Sequence, residues 1–112
     1  MAIAIFPAAG QSRRMRSATN KNFLELAGKP ILIHTLLKFS KSDKIDNLII
    51  AAASDEVVII EEMLTNCKDL KPFQVVVGGS ERQYSIANAL KLVPEACDVV
   101  LVHDAARPLI SI

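Results

Sequence analysis

Three short segments hold the side chains best suited to phosphate chemistry. The first is Pro7-Ala8-Ala9-Gly10-Gln11-Ser12-Arg13-Arg14, followed closely by Arg16 and Lys21. Small residues allow a ligand to approach the main chain, where free N–H groups cradle phosphate oxygens. The arginines add bidentate donors and Lys21 a compact charge. The glycine spacing fits neither a Walker loop nor the GxGxxG dinucleotide fingerprint. The second segment, Gly78-Gly79-Ser80-Glu81-Arg82-Gln83-Tyr84-Ser85, sets small residues at the start of a helix, where amides and partial positive charge suit an anion or a base edge. The third is His103-Asp104-Ala105-Ala106-Arg107-Pro108. Asp104 is a hard oxygen donor of the kind Mg²⁺ accepts while keeping waters and substrate phosphate oxygens. The alanines leave space, and Arg107 reaches a second phosphate. Each segment also has a plainer alternative: a solvated basic loop, a capped strand-to-helix turn, and an Asp–Arg surface pair.

Other reactive side chains are less promising. His103 is better read as a local hydrogen-bonding group at a strand end than as a catalyst. His34 sits inside a helix with no partner pattern, and Tyr84 falls on a helix surface. Cys67 and Cys97 form no CxxC or Cys/His cluster and read as two reduced thiols in a cytoplasmic protein.

The elements that must position these segments follow from apolar patterning. Ile3 to Phe6 is a short apolar run ended by Pro7, hence a buried strand. Gly28-Lys29-Pro30 opens a helix that runs to about Lys41, with Leu32, Leu36 and Phe39 on one face. Leu48 to Ala53 is a second strand. Ser54 is the expected N-cap of a second helix, with Asp55 and Glu56 in its first turn. Val57, Ile60, Leu64 and Cys67 form that helix's stripe, and Lys68 and Lys71 lie at or beyond its end. Phe73 to Val77 is a third strand. Ser80 and Gln83 have the spacing of a capping box for a third helix, whose stripe is Ile86, Ala89, Leu90 and Val93. Val99 to Val102 is a fourth strand. The order β-α-β-α-β-α-β with continuously apolar strands predicts an α/β fold: a Rossmann-like parallel sheet with helices on both faces and every strand covered. Ligands of such sheets bind at the carboxyl ends of the strands, where all three segments fall.

The 112 residues are enough for one small domain, and 51% of them are apolar. The formal net charge of +1 argues against a nucleic-acid partner, which calls for a strong basic excess. No apolar run is long enough to span a bilayer, and Ala2-Ile3-Ala4-Ile5-Phe6 is too short for a signal peptide. The sequence stops four residues after Pro108 without a closing helix, so 1–112 is expected to be the N-terminal part of a longer enzyme, a truncated sheet.

Taken together, PAAGQSRRM at 7–15, Lys21 with FLEL and GKPI–HTL after it, GGSERQYSI at 78–86 and VLVHDAARP at 100–108 resemble the 2-C-methyl-D-erythritol 4-phosphate cytidylyltransferase family. The resemblance spans the chain in the family's order. It implies a nucleotidyltransferase fold of GT-A-like type. It also implies cytidylyl transfer from CTP to a polyol phosphate in the non-mevalonate route to isoprenoids, with Mg²⁺ as cofactor. By the same resemblance Arg14 and Lys21 are catalytic, stabilising charge on the α-phosphate. Ala8, Ala9, Gly10, Gln11, Ser12, Arg13, Gly79, Ser80, Arg82 and Ser85 bind the nucleotide. Asp104 binds the metal, and Ala105 and Arg107 hold the polyol phosphate. Members of the family are longer, the remainder supplying a β-arm for homodimerisation and further substrate contacts, so this chain alone is expected to be inactive.

The chain departs from the family pattern at Ser12, where a second Gly is usual. It departs at Asn20 and Asn22, which flank Lys21 in place of Pro and Gln, and at Ser80, where Asp is common. Ribitol-5-phosphate cytidylyltransferase is the nearest rival, disfavoured by the intact HDAARP. A sugar-1-phosphate nucleotidyltransferase and a non-catalytic nucleotide-binding fragment are more distant alternatives.

Overall fold

The computed structural model describes residues 1–8, 25–26, 29–79 and 82–103. The chain opens with β1 (Ala2–Pro7), then a minimal antiparallel pair, β2 (Glu25–Leu26) and β3 (Lys29–Pro30). It continues through α1 (Ile31–Ser40), β4 (Asn47–Ala52), α2 (Val57–Thr65), β5 (Phe73–Val77), α3 (Arg82–Leu90) and β6 (Val99–Val102). The four longer strands form one parallel sheet in the order β5-β4-β1-β6. This is the expected α/β parallel sheet.

Alternation along the strands divides the core in two. Ala4, Phe6 and Ala8 of the first strand region, with Leu48, Ile50 and Ala52, pack under Leu32, Ile33 and Leu36 of α1 and Ile60 and Leu64 of α2. Ile3, Ile5 and Ile49 face the other way and meet Ala89 of α3. Phe6, Ile5, Leu48, Ile49 and Ile50 are wholly or almost wholly buried, each worth about 1.5–3 kcal/mol of transfer free energy. The placement of helices follows from handedness. The chain steps outward from β1 to β4 to β5, then returns past β1 to β6. Right-handed crossovers then require α3 on the face opposite α1 and α2.

Pro30 opens α1 as expected: it is the N-cap, just ahead of the first turn, extended at φ −57° and ψ 146°, and also pairs in β3. Two local expectations about α2 are corrected. Ser54 is not the cap of α2. Residues 54–56 form a turn in which the Glu56 N–H donates to the Ala53 carbonyl, and Glu56 takes the cap position. Asp55 and Glu56 therefore precede the first turn instead of occupying it. Lys71 lies beyond the end of α2, as expected. Its Nζ donates to the carbonyls of Ser42 and Ile45 at 3.0 and 2.7 Å, and its N–H donates to Ser40 Oγ, so it ties down the turn after α1.

Coverage of both faces fails at β6. Val99, Val100, Leu101 and Val102 are 36–48% exposed, because β6 is an edge strand among the described residues and α3 lies over β4 and β1. Leu90 is likewise exposed, while Ala89 carries the buried contact of α3. Cys67 and Cys97 are both partly buried and are not joined in a disulfide. Among the described residues, no helix is long and apolar enough to cross a membrane.

Candidate active site

Because the sheet is parallel, the ends of β1, β5 and β6 lie on one edge. Between β1 and β6 the order of strands reverses, and there the ladder stops for a covalent reason. Among the described residues its last bond runs from the His103 N–H to the Ile5 carbonyl at 3.0 Å. The next bond in a parallel ladder would need a donor at residue 7, and Pro7 has none. On its other side the chain stays paired one residue longer, the Ala8 N–H donating to the Ala51 carbonyl at 2.7 Å. Pro7 thus ends β1's pairing with β6 while β4 still holds Ala8, which is fully buried. A split of this kind at the strand reversal is where open α/β sheets admit ligands.

At the end of β6, His103 packs its ring against α1. Its centroid lies 4.9 Å from Phe39 and 6.4 Å from Phe6, both edge-on, and Phe6 and Phe39 are 5.2 Å apart. This fits the reading of His103 as a local group. The aromatic cluster fixes the His103 ring against β1 and α1.

At the end of β5 the Gly78 N–H donates to the Ala52 carbonyl at 2.7 Å, extending the sheet by one bond. Gly79 then turns against α3. Its N–H donates to Ser85 Oγ at 3.1 Å, and that hydroxyl sits 3.5 Å from the Gly79 carbonyl. Ser85 is wholly buried. The Asn88 side-chain amide donates to the Val77 carbonyl at 3.1 Å. A Cβ built on Gly79 would lie 2.1 Å from Tyr84 Cβ and 3.1 Å from the Tyr84 backbone carbons. Tyr84 itself is about half exposed, as its position on the helix surface implied.

Of the residues singled out in the sequence, Ala8, Gly79 and Ser85 are therefore placed at this edge, and Arg82 begins α3. Ala9, Gly10, Gln11, Ser12, Arg13, Arg14, Lys21, Ser80, Asp104, Ala105 and Arg107 lie outside the described residues. Among the described residues no three His, Cys, Asp or Glu side chains converge as a metal site. Sequence reasoning passed over Asn88, although it stands one turn after Ser85, at the i,i+3 spacing that shares a helix face.

The opposite edge carries different features. The N-terminal ammonium pairs with Asp98 at 2.9 Å, and their hydrogen bond and mutual charge raise the amine's pKa and lower that of the carboxyl. A cavity of about 250 Å³ lies at the amino ends of the strands, lined by Ile3, Ile49, Phe73, Leu92 and Pro94 among others. It contains none of the phosphate-directed residues, so its size is no guide to the chemistry.

A parallel sheet whose strand order reverses beside β1 defines an α/β fold of the Rossmann-like kind. Residues 2–112 match the model of one such family, 2-C-methyl-D-erythritol 4-phosphate cytidylyltransferase, and the chain belongs to that family. A curated member from Clostridium botulinum is 42% identical over 107 residues, covering 96% of this chain and 47% of the relative. One from Halalkalibacterium halodurans is also 42% identical, with coverages of 96% and 46%. Among solved structures, the 4-diphosphocytidyl-2C-methyl-D-erythritol synthase of Anaerococcus prevotii superposes with a TM-score of 0.81 at 28% identity, covering 99% of this chain and 46% of that one. The chain spans about half the length of the curated relatives it matches.

Proposed function

We propose that this chain, completed by the further substrate contacts its longer relatives carry, transfers the cytidylyl group of CTP to 2-C-methyl-D-erythritol 4-phosphate, and that residues 1–112 alone do not turn over. A phosphate oxygen of the acceptor bonds to the α-phosphorus of CTP, and the bond to the departing pyrophosphate breaks. The observation that supports this reading is that β1, β5 and β6, the strands that precede the three phosphate-directed segments in sequence, end on one sheet edge in a chain of this family. Phosphoryl-type transfer asks for positioning and charge neutralisation, and those segments bring amides, Arg and Lys. In this reading Ala8, Ala9, Gly10, Gln11, Ser12 and Arg13 line the triphosphate. Gly79, Ser80, Arg82 and Ser85 surround cytosine and ribose, while Ala105 and Arg107 hold the acceptor. Arg14 and Lys21 are the catalytic cations. The same reading carries a cytoplasmic homodimer, and a net charge of +1 offers no general attraction for nucleic acid.

Mg²⁺ is part of the proposal. Asp104 follows the residue that ends the β1/β6 ladder, and its carboxylate is a hard oxygen donor. The ion would supply neutralisation of triphosphate charge. Asp104→Asn keeps the size and removes the charge, while nucleotide phosphates remain as ligands. It should raise the Mg²⁺ concentration for half-maximal activity by about tenfold, with the melting temperature unchanged. An unaltered Mg²⁺ titration would make Asp104 a partner of Arg107 instead.

The nucleotide assignment is tested by thermal shift of the purified protein. A ligand that binds only the folded state stabilises it by RT ln(1 + [L]/Kd), about 2.7 kcal/mol at 100 Kd. CTP with Mg²⁺ should therefore raise the melting temperature by several degrees, and ATP at equal concentration by clearly less. Equal shifts would remove the cytidine assignment. Pyrophosphate release with methylerythritol phosphate, against ribitol 5-phosphate, then decides the acceptor.

A further inference from the structure

We propose that Asn88 is a positioning residue for the nucleotide: with Ser85 it clamps the two peptides leaving β5, so that the glycine turn is shaped before the base arrives. This rests on the CTP reading above. The need arises from the sequence. Gly78-Gly79 has the greatest backbone freedom of any dipeptide, and an unrestrained turn would lose that freedom on binding, at the expense of affinity.

The peptide joining Val77 to Gly78 is held at both ends. Its N–H donates into the sheet, to the Ala52 carbonyl at 2.7 Å. Its C=O points the opposite way, off the free edge of β5, and accepts from Asn88 Nδ2 at 3.1 Å. The next peptide donates its N–H to Ser85 Oγ at 3.1 Å. Ser85 and Asn88 are three residues apart on α3, so one helix face grips two consecutive peptides. The helix supplying that grip is anchored by Ala89, buried against Ile3, Ile5 and Ile49. Ser85 is inaccessible to solvent, whereas Asn88 is half-buried over a Val77 that is 50% exposed. The Asn88 bond is thus the part of the clamp that can be removed without opening the core.

The test is Asn88→Asp in the purified native protein. Aspartate matches the shape but has no N–H to donate and sets a carboxylate against the Val77 carbonyl. Two readouts are taken. Amide hydrogen exchange at Gly78 and Gly79, without nucleotide, should accelerate severalfold. The Kd for CTP should rise about fivefold, the equivalent of one hydrogen bond of about 1 kcal/mol, while the melting temperature moves little. Asn88→Ala, which adds no repulsion, should move both readouts in the same direction and serves if the aspartate variant does not fold. Unchanged exchange together with an unchanged CTP Kd would overturn the clamp. Faster exchange in a protein whose wild type binds no CTP would leave the clamp standing and overturn the nucleotide reading.

Discussion

Replacing Lys21 with alanine should lower kcat by roughly 10²–10³-fold, with a much smaller change in KM for CTP. In the proposed reaction, as the acceptor oxygen approaches the α-phosphorus, negative charge builds on the equatorial and leaving oxygens, and a fixed cation gains most there. Interactions that strengthen only in the transition state appear in kcat, and those equal in both states appear in KM. Arg14→Ala should follow the same pattern. In the proposed reaction the two cations would answer the same developing charge, so the double variant should lose less than the product of the single losses. Lys21→Arg keeps the charge but exchanges a compact ammonium for a planar fork, and should recover only part of the rate. Steady-state kinetics with CTP and methylerythritol phosphate, at the native length of the protein, decide the matter. A loss confined to KM would show that Lys21 only holds ground-state nucleotide.

The strands were legible because each is a continuous apolar run closed by a breaker. Ile3 to Phe6 ends at Pro7, and Phe73 to Val77 ends at two glycines. The same property misled at β6. Val99 to Val102 reads as a strand buried on both faces, yet it stands at the sheet edge and is partly exposed, because apolar composition does not encode position in the sheet. The β2/β3 pair left no trace, since strands of two residues have no periodicity to detect. Ser54 looked like a cap by residue type, but the turn closed by Glu56 and Ala53 moved the helix start beyond it. Motif spacing singled out three segments, and parallel topology brings the strands before them to one edge. Contacts between distant residues were not legible. The Phe6–Phe39–His103 cluster joins β1, α1 and the end of β6, and the hold of Ser85 and Asn88 on the glycine turn exists only once α3 docks.

Gly79→Ala should be the most damaging single methyl group at this edge. The added Cβ would stand 2.1 Å from Tyr84 Cβ, a separation no pair of carbons tolerates, and 3.1 Å from two Tyr84 backbone atoms. No rotamer relieves it, because the colliding atoms belong to the helix and not to the tip of a flexible side chain. Either α3 or the turn must move. Moving α3 would pull Ala89 out of its contact with Ile3, Ile5 and Ile49, so the turn is the element that yields. Lifting it breaks the bond from the Gly79 N–H to Ser85 Oγ and leaves a wholly buried hydroxyl short of a partner. Overpacking costs about 1–3 kcal/mol and an orphaned buried polar group a similar amount. The melting temperature should fall by roughly 4–8 °C per kcal/mol if the domain behaves as a small one. The Kd for CTP should rise by about ten- to a hundredfold as the turn leaves its place. Removing the opposing carbon tests the cause. Tyr84→Gly deletes the nearest colliding atom, so the double variant should bind CTP better than Gly79→Ala alone, despite about 1 kcal/mol lost to glycine inside a helix. Additive losses, or a Gly79→Ala protein that melts and binds as wild type does, would show that the approach of Gly79 to α3 does not constrain the site.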